Sequence, residues 1–559
     1  MVEIPDIWRK NYQHPGAWDR SFAPLTVPQM FANSASAHPD AYLADFMGRK
    51  YSYADVRLGV NRVARGLQKL GVKKGDRVGI FLPNVPHYLA AYYGAMKMGA
   101  TVVNFSPLYT VDELSHQVED SGTKILFTLS AKALLPTALE VLDKSSLEKL
   151  VVGTVVEALP LAKSLMFRVF KGGESVDVPK RRDVVPFSEL VDNKGDCGRV
   201  PIDPRKDVAL IQYTGGTTGT PKGAMLTHQN ITANARQINA LDPEPDVEDR
   251  ILGVLPFFHV FANATVLNRT VLRGGEIIML PRWNASHALK ALERTKATAL
   301  PGVPTMYTAL LDHPQTAKTD FSSLRVCISG GAPLPAEIKG KFEAMTGSKL
   351  VEGYGLTESS GVVSCNPYEG ENKTGSIGQP VAGTIVKLVD KEDPNEPAPE
   401  GEPGEIAIAG PQIMYGYWNR PDADDQILYD GFLRTGDVGM IDEDGYVFIV
   451  DRLKDMIAVS GFKVFPSQLE TILYKHPAVK EALVIGIPDA YTGEKPKAFV
   501  TLETGADVTG EALAGWLNPQ LGKHERVDSV VVRDELPKTM IGKLDRKALR
   551  AEEAGQKSS

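Results

Sequence analysis

Residues 208–223 read Val-Ala-Leu-Ile-Gln-Tyr-Thr-Gly-Gly-Thr-Thr-Gly-Thr-Pro-Lys-Gly. The apolar run 208–213, bounded by turn residues, predicts a strand of a buried sheet. A loop suited to an anion follows it. Gly215, Gly216 and Gly219 give the backbone the dihedrals that aim several N–H groups at one point, while Thr214, Thr217, Thr218 and Thr220 add hydroxyl donors and Lys222 a charge. A Walker A loop is excluded, because no Gly-Lys-Ser/Thr stands four residues after a glycine. The competing reading, a Gly/Thr surface turn, has the density of donors against it.

Outward from this loop the chain repeats one rhythm. Towards the N-terminus, helical spacing over 54–70 precedes a strand over 77–82, and a helix over 87–98 precedes a strand over 101–104. Thr110 and Glu113 have the spacing of a capping box, opening a helix before the strand 124–128. Towards the C-terminus, helices over 230–241 and 286–295 alternate with strands over 251–255, 275–280, 297–300 and 324–329. Turns such as Pro-Gly-Val-Pro (301–304) and Gly-Gly-Ala-Pro (330–333) leave room for a ligand against backbone, or are punctuation. Repeated βα units predict an α/β fold with a largely parallel sheet covered by helices, and its ligands at the carboxyl ends of strands, where the Gly/Thr loop stands. The acidic, Pro-rich 391–404 lies between alternating runs 384–390 and 405–410 and reads as a long hairpin turn.

A chain of 559 residues exceeds the roughly 250–300 at which one core stops growing, so at least two domains are expected. The boundary falls at Asp451-Arg452-Leu453-Lys454-Asp455, after which about a hundred residues alternate as a small α+β unit. A net charge of −7 argues against a nucleic-acid partner. Cys197, Cys327 and Cys365 are too scattered for a disulfide framework or a zinc site, which fits a reducing cytoplasm. No apolar stretch reaches the roughly 18 residues of a spanning helix; the nearest, 88–105, is broken by Lys97. Residues 156–183 mix Leu159, Leu165, Met166 and Phe167 with Lys163, Arg168, Lys171 and the run Lys180-Arg181-Arg182. Two readings stay open: peripheral contact with an anionic membrane surface, or an insertion that packs on its own domain.

Three further stretches carry chemistry. His259, in Pro-Phe-Phe-His-Val, is either a hydrogen-bonded structural residue or a catalyst. Glu352 to Glu358 gathers an aromatic face, a hydroxyl and carboxylates, and a carboxylate with a threonine hydroxyl suits Mg²⁺. Lys543, on a glycine-bearing loop near the end, offers a movable charge.

In kind and order, 213–223, 255–259, 354–358, Thr435-Gly436-Asp437, 451–455 and Gly542-Lys543 resemble the adenylate-forming acyl-CoA synthetase superfamily, over nearly the whole chain. Residues 224–228 and 430–470 look most like bacterial long-chain fatty-acid:CoA ligases. The resemblance implies an enzyme that joins a fatty carboxylate to ATP as acyl-adenylate, releasing pyrophosphate, and then passes the acyl group to the thiol of coenzyme A. It implies a large domain over 1–450, a hinge at 451–454 and a mobile domain over 455–559. Lys222 and the Gly/Thr loop would hold the β- and γ-phosphates, and Thr214 and Glu358 would address Mg²⁺. Thr357 would meet the α-phosphate, while Tyr354, with Gly331, Ala332 and Pro333, would flank adenine beside Glu352 and Gly355. Asp437 would accept from the ribose hydroxyls next to Arg452, and Lys543 would bridge carboxylate and α-phosphate. Rotation about Lys454 would replace Lys543 by the segment around Gly461, clearing space for the pantetheine arm.

Departures bear on the acyl group. Relatives often carry Trp and His where Phe432 and Arg434 stand, and some long-chain enzymes place a Trp gate where Asn263 stands. His259, Phe261, Gly302, Val303 and Gly330 are tunnel candidates, and a graded chain-length profile is expected because one methylene discriminates only about 10- to 200-fold. A medium-chain or aryl acid:CoA ligase is the alternative. An amino-acid adenylation module usually carries an Asp near 256–260, where this chain has none, and a non-enzymatic paralogue does not account for Glu358, Asp437, Arg452 and Lys543 together. A homodimer is left open.

Overall fold

The computed structural model describes residues 6–160, 163–164, 174–214, 221–391, 393–460, 462–489, 491–539 and 543–556. The strand Val208–Tyr213 forms as expected, parallel to Thr101–Asn104. Its other neighbour, Gly223–Thr227, is antiparallel, and the Thr214 N–H donates to Lys222 C=O at 2.9 Å across the base of the intervening loop. So short a connection brings the chain straight back; a parallel partner needs a crossover of about a dozen residues. Gly416–Tyr417 adds antiparallel to that return strand, while on the other side the sheet is parallel, through Arg77–Ile80, Thr123–Leu129 and Lys149–Gly153 to Val184–Pro186.

A second sheet supplies the opposite wall. Parallel strands Tyr42–Phe46, Glu276–Met279, Arg250–Gly253, Ala299–Gly302, Val326–Gly330 and Lys349–Tyr354 form one half. Registers Gly302 to Ser329 and Gly330 to Gly353 bring three strand ends to one rim. Antiparallel strands continue the sheet, including Phe432–Ile441 and Val447–Arg452, and the expected hairpin joins Ile385–Val389 to Gly404–Ala409.

The helices follow their sequence signals closely. Tyr53–Lys69 starts on a Ser52/Asp55 capping box, and Val111–Ser121 on the expected Thr110/Glu113 box. Helix Pro86–Lys97 is buried on nearly every face, which accounts for an apolar run without amphipathic period. Its phenols find acceptors: Tyr88 donates to Asn104 Oδ1 (2.8 Å), Tyr92 to Asn263 Oδ1 (3.1 Å) and Tyr93 to Asn268 Oδ1 (3.2 Å). Beyond His259 the chain forms Val260–Ala262, a π-helical turn over Asn263–Asn268, and Arg269–Arg273. Turns of this kind concentrate at functional sites.

After residue 451 the chain has cores of its own. Ile457, Leu469, Leu473, Val484 and Leu513 form one, and Leu483, Ile485, Phe499, Leu536 and Leu549 another. Its sheet pairs Val479–Asp489 with Gly493–Leu502, and Val530–Val532 adds in parallel. Asp455, in the turn Leu453–Asp455, pairs with Arg546 (3.7 Å) and Arg550 (3.2 Å), tying that turn to the small unit. A single exposed pair, Lys480 with Asp312 (3.1 Å), bridges the small unit to the large one among the ion pairs described.

Of 156–183, residues 161–162 and 165–173 lie outside the described residues. Two neighbouring charges bond at the surface to groups of this chain. Lys163 donates to Met47 C=O at 2.7 Å, and Arg181 pairs with Asp143 and Asp183, both at 2.7 Å. Among the described residues no helix is long and apolar enough to cross a membrane.

Candidate active site

The site forms where the carboxyl rims of both sheets meet the small unit. Gly215, Gly216, Thr217, Thr218 and Gly219 lie outside the described residues, as does Gly461; Thr214 and Lys222 bracket the loop. The Lys222 ammonium stands 5.2 Å from the centroid of the Tyr417 ring. Tyr417 in turn donates to Glu358 Oε1 at 2.6 Å, and Met414 N–H to Glu358 C=O at 2.8 Å. Burial, and then the Glu358 carboxylate, push the Tyr417 hydroxyl far up, so it stays a donor. Tyr417 escaped the sequence reading because its strand, Gly416–Tyr417, is two residues long and shows no period.

On the opposite side Asp437 is the centre of a triad with the buried Tyr354 and the half-exposed Arg452. Tyr354 donates its hydroxyl to Asp437 Oδ2 at 2.5 Å, and Arg452 Nε lies 2.9 Å from Oδ1. Antiparallel register sets Asp437 directly opposite Arg452. Tyr354 arrives from the end of the parallel half, so its expected place beside adenine is joined by a bond that sequence spacing does not reveal. Thr357 and Glu358 begin a one-turn 3₁₀ helix that ends in a left-handed Ser360. Gly355 leaves no room for a side chain, since a Cβ there would strike the Gly361 carbonyl.

Lys543 reaches this rim from the small unit. Its loop is closed by the Thr539 N–H donating to Lys543 C=O at 2.6 Å, and its side chain lies against Gly331, where a Cβ would collide with it. Gly331 also has φ +85°, which favours glycine independently. Burial and the nearby Arg452 push the Lys543 ammonium down to about 8. His259 is lowered to about 3 by burial and then by Lys543, so it is neutral at physiological pH. Its Nδ1 accepts the Phe261 N–H at 3.2 Å, starting the helix. Glu352 is pushed up to about 8 by burial. Ala332 and Pro333 continue the loop after Gly331, and Lys454 sits in the turn 453–455, its ammonium lowered by burial and by Arg452.

Thus Lys543, Gly331, His259, Tyr354, Asp437 and Arg452 come together, while Lys222 and Glu358 meet at Tyr417 and Thr214 faces Lys222 across the loop base. Among the described residues no three His, Cys, Asp or Glu form a metal cage.

The signature of AMP-binding enzymes matches residues 31–418, and that of the AMP-binding enzyme C-terminal domain matches 468–543. The chain is 39% identical to a long-chain-fatty-acid–CoA ligase of Bacillus subtilis, covering 98% of each chain. It is 36% identical to a feruloyl-CoA synthase of an Amycolatopsis species, covering 91% of this chain and 95% of the relative. The ATP-bound MatB of Rhodopseudomonas palustris superposes with a TM-score of 0.82 at 29% identity, covering 94% of this chain and 99% of that one. Two matched domains and near-complete coverage place the chain in the AMP-binding enzyme family.

Proposed function

We propose that the protein is a long-chain fatty-acid:CoA ligase that forms acyl-adenylate from fatty acid and ATP, then acyl-CoA from coenzyme A, releasing AMP and pyrophosphate. The observation that carries this reading is the seating of Lys543 against Gly331, beside neutral His259 and the Asp437–Arg452 pair. The likeness to the Bacillus ligase over 98% of the chain supports the acyl class.

The chemistry is a problem of charge. A carboxylate and a triphosphate repel, so the site has to neutralise and position them. Lys543 masks the charge between the carboxylate and the α-phosphate. Glu352, raised to about 8, and His259, lowered to about 3, are both neutral near pH 7 and add no anion. Asp437 keeps lone pairs for the ribose hydroxyls, since a carboxylate offers about four acceptor positions and two donors reach it here. Thr357 contacts the α-phosphate; Lys222 and the loop 215–220 hold the outer phosphates; Tyr354, with Gly331, Ala332 and Pro333, flanks adenine.

Thr214 and Glu358 would hold Mg²⁺. Their hard oxygens fit an ion that takes few protein ligands and the rest from phosphate and water, and the ion would neutralise the outer phosphates. Residues 1–450, 451–454 and 455–559 act as large domain, hinge and mobile cap. Rotation about Lys454 withdraws Lys543 and brings the segment around Gly461 to the thioester step. Any contact of 156–183 with an anionic surface is tested by co-sedimentation with anionic liposomes at low salt, and a dimer by light scattering.

The deciding experiment is ATP–pyrophosphate exchange with palmitate against p-coumarate. Exchange driven by palmitate in preference supports the proposal, and preference for coumarate overturns the long-chain assignment.

A further inference from the structure

Below the Lys543 rim lies a cavity of about 30 Å³ whose lining includes Ile238, Thr265, Ala299, Pro301, Ile328 and Tyr368. Phe261 stands between rim and cavity. A Cβ on Gly330 would lie 2.9 Å from its ring, and Gly330 is the neighbour of Gly331, where Lys543 seats. Thr265 Oγ1 bonds the Phe261 carbonyl one turn down, at 2.7 Å, and lines the cavity. Ile238 and Ile328 belong to a small apolar cluster, and Phe261 and Tyr368 pack both on it and on the main core.

The far end is ionic. Asp242 and Arg269 also line it. Arg269 bonds Asp242 at 2.8 Å and also Asp249, while Arg273 and Arg325 approach Asp242 as well. Asp242, Asp249 and Arg269 are all buried. At 30 Å³ the space is far too small for a long acyl chain, so a chain enters by moving side chains aside. Phe261, Ile238 and Tyr368 can yield by rotation; fully paired charges cannot separate without leaving a buried ion uncompensated.

Resting on the fatty-acid reading, we propose that the buried cluster Asp242–Arg269–Asp249 is the floor of the acyl cavity and sets the longest chain the protein accepts. Each methylene buried above the floor improves binding about fourfold. The first that would have to enter it loses that gain and meets a cluster that does not part. The profile therefore ends in a step instead of the graded decline that methylene increments alone lead one to expect.

The test is kcat/KM for saturated acids from C8 to C22, read as ratios within each protein. Wild type shows a fall of tenfold or more over one two-carbon step; a smooth decline overturns the proposal. The double variant Arg269→Met/Asp249→Asn removes both charges at once, leaving Asp242 its partners Arg273 and Arg325, and moves the step to longer chains by two carbons or more. Ala299→Leu, which fills the cavity above an intact floor, moves it to shorter chains. A step that stays put in either folded variant overturns the floor. Should the double variant not fold, Ala299→Leu decides alone. A wild type that activates p-coumarate but no fatty acid of any length instead overturns the substrate reading.

Discussion

In the proposed reaction Asp437 and Lys543 serve the same chemistry from two kinds of support. Asp437 sits mid-strand, 2% exposed, opposite Arg452 in register and bonded to Tyr354. Lys543 rides a loop closed by Thr539, on a unit with its own cores. On the proposed mechanism the fixed partner, pre-organised, stays through both half-reactions, and the carried one is present for the first and withdrawn for the second. Lys543→Ala is the strongest way to break this contrast. It lowers adenylate formation about 10²- to 10³-fold, the usual loss for one such donor, and spares thioester formation from supplied acyl-adenylate. Equal loss of both steps in single-turnover assays would show that the lysine is a fixed part.

Asp437→Ala should do the opposite, weakening both steps together. It strands the buried Tyr354 hydroxyl, a penalty of about 1–3 kcal/mol, and leaves the half-exposed Arg452 to water; a lowered melting temperature would accompany the loss. Lys454→Pro sharpens the contrast at the turn between the two. Stiffening it slows thioester formation more than adenylation, by up to about 150-fold, the equivalent of the about 3 kcal/mol a misplaced proline costs. Identical slowing of both steps would place the pivot elsewhere.

Protonation offers a gentler probe. Lys543 is charged only below its lowered value of about 8, so kcat/KM for adenylation falls as pH rises through about 8. The thioester step from supplied adenylate does not share this limb. Arg452→Met removes a repelling charge and moves the limb upward. The smallest effect belongs to the exposed Lys480–Asp312 bridge. Lys480→Ala shifts the balance of cap positions by about 0.2–1 kcal/mol, at most about fivefold, and less in high salt. A larger change in the ratio of the two half-reaction rates would mean that this bridge, and not the Lys543 seat, holds the cap.

The same contrast explains what was legible beforehand. Strand 208–213 announced itself by an apolar run ending in glycines, and the 110/113 capping box by two residues at fixed spacing; both signals are local. Tyr354 and Asp437, 83 residues apart, meet only because two halves of one sheet fold together. Asp242 and Arg269, 27 apart, look in sequence like surface charges, and only burial turns them into a floor. The π-helical turn 263–268 has no spacing signature, and the antiparallel return at 223–227 depended on how tightly the loop closes.

One absent side chain has a practical reach. The stem of Lys543 fills the volume that any residue larger than glycine would claim at 331. A small C-terminal unit transplanted between related enzymes will therefore seat its lysine unshifted only on a host bare at this position. On a host bearing a methyl there the flexible end of the lysine has to move aside.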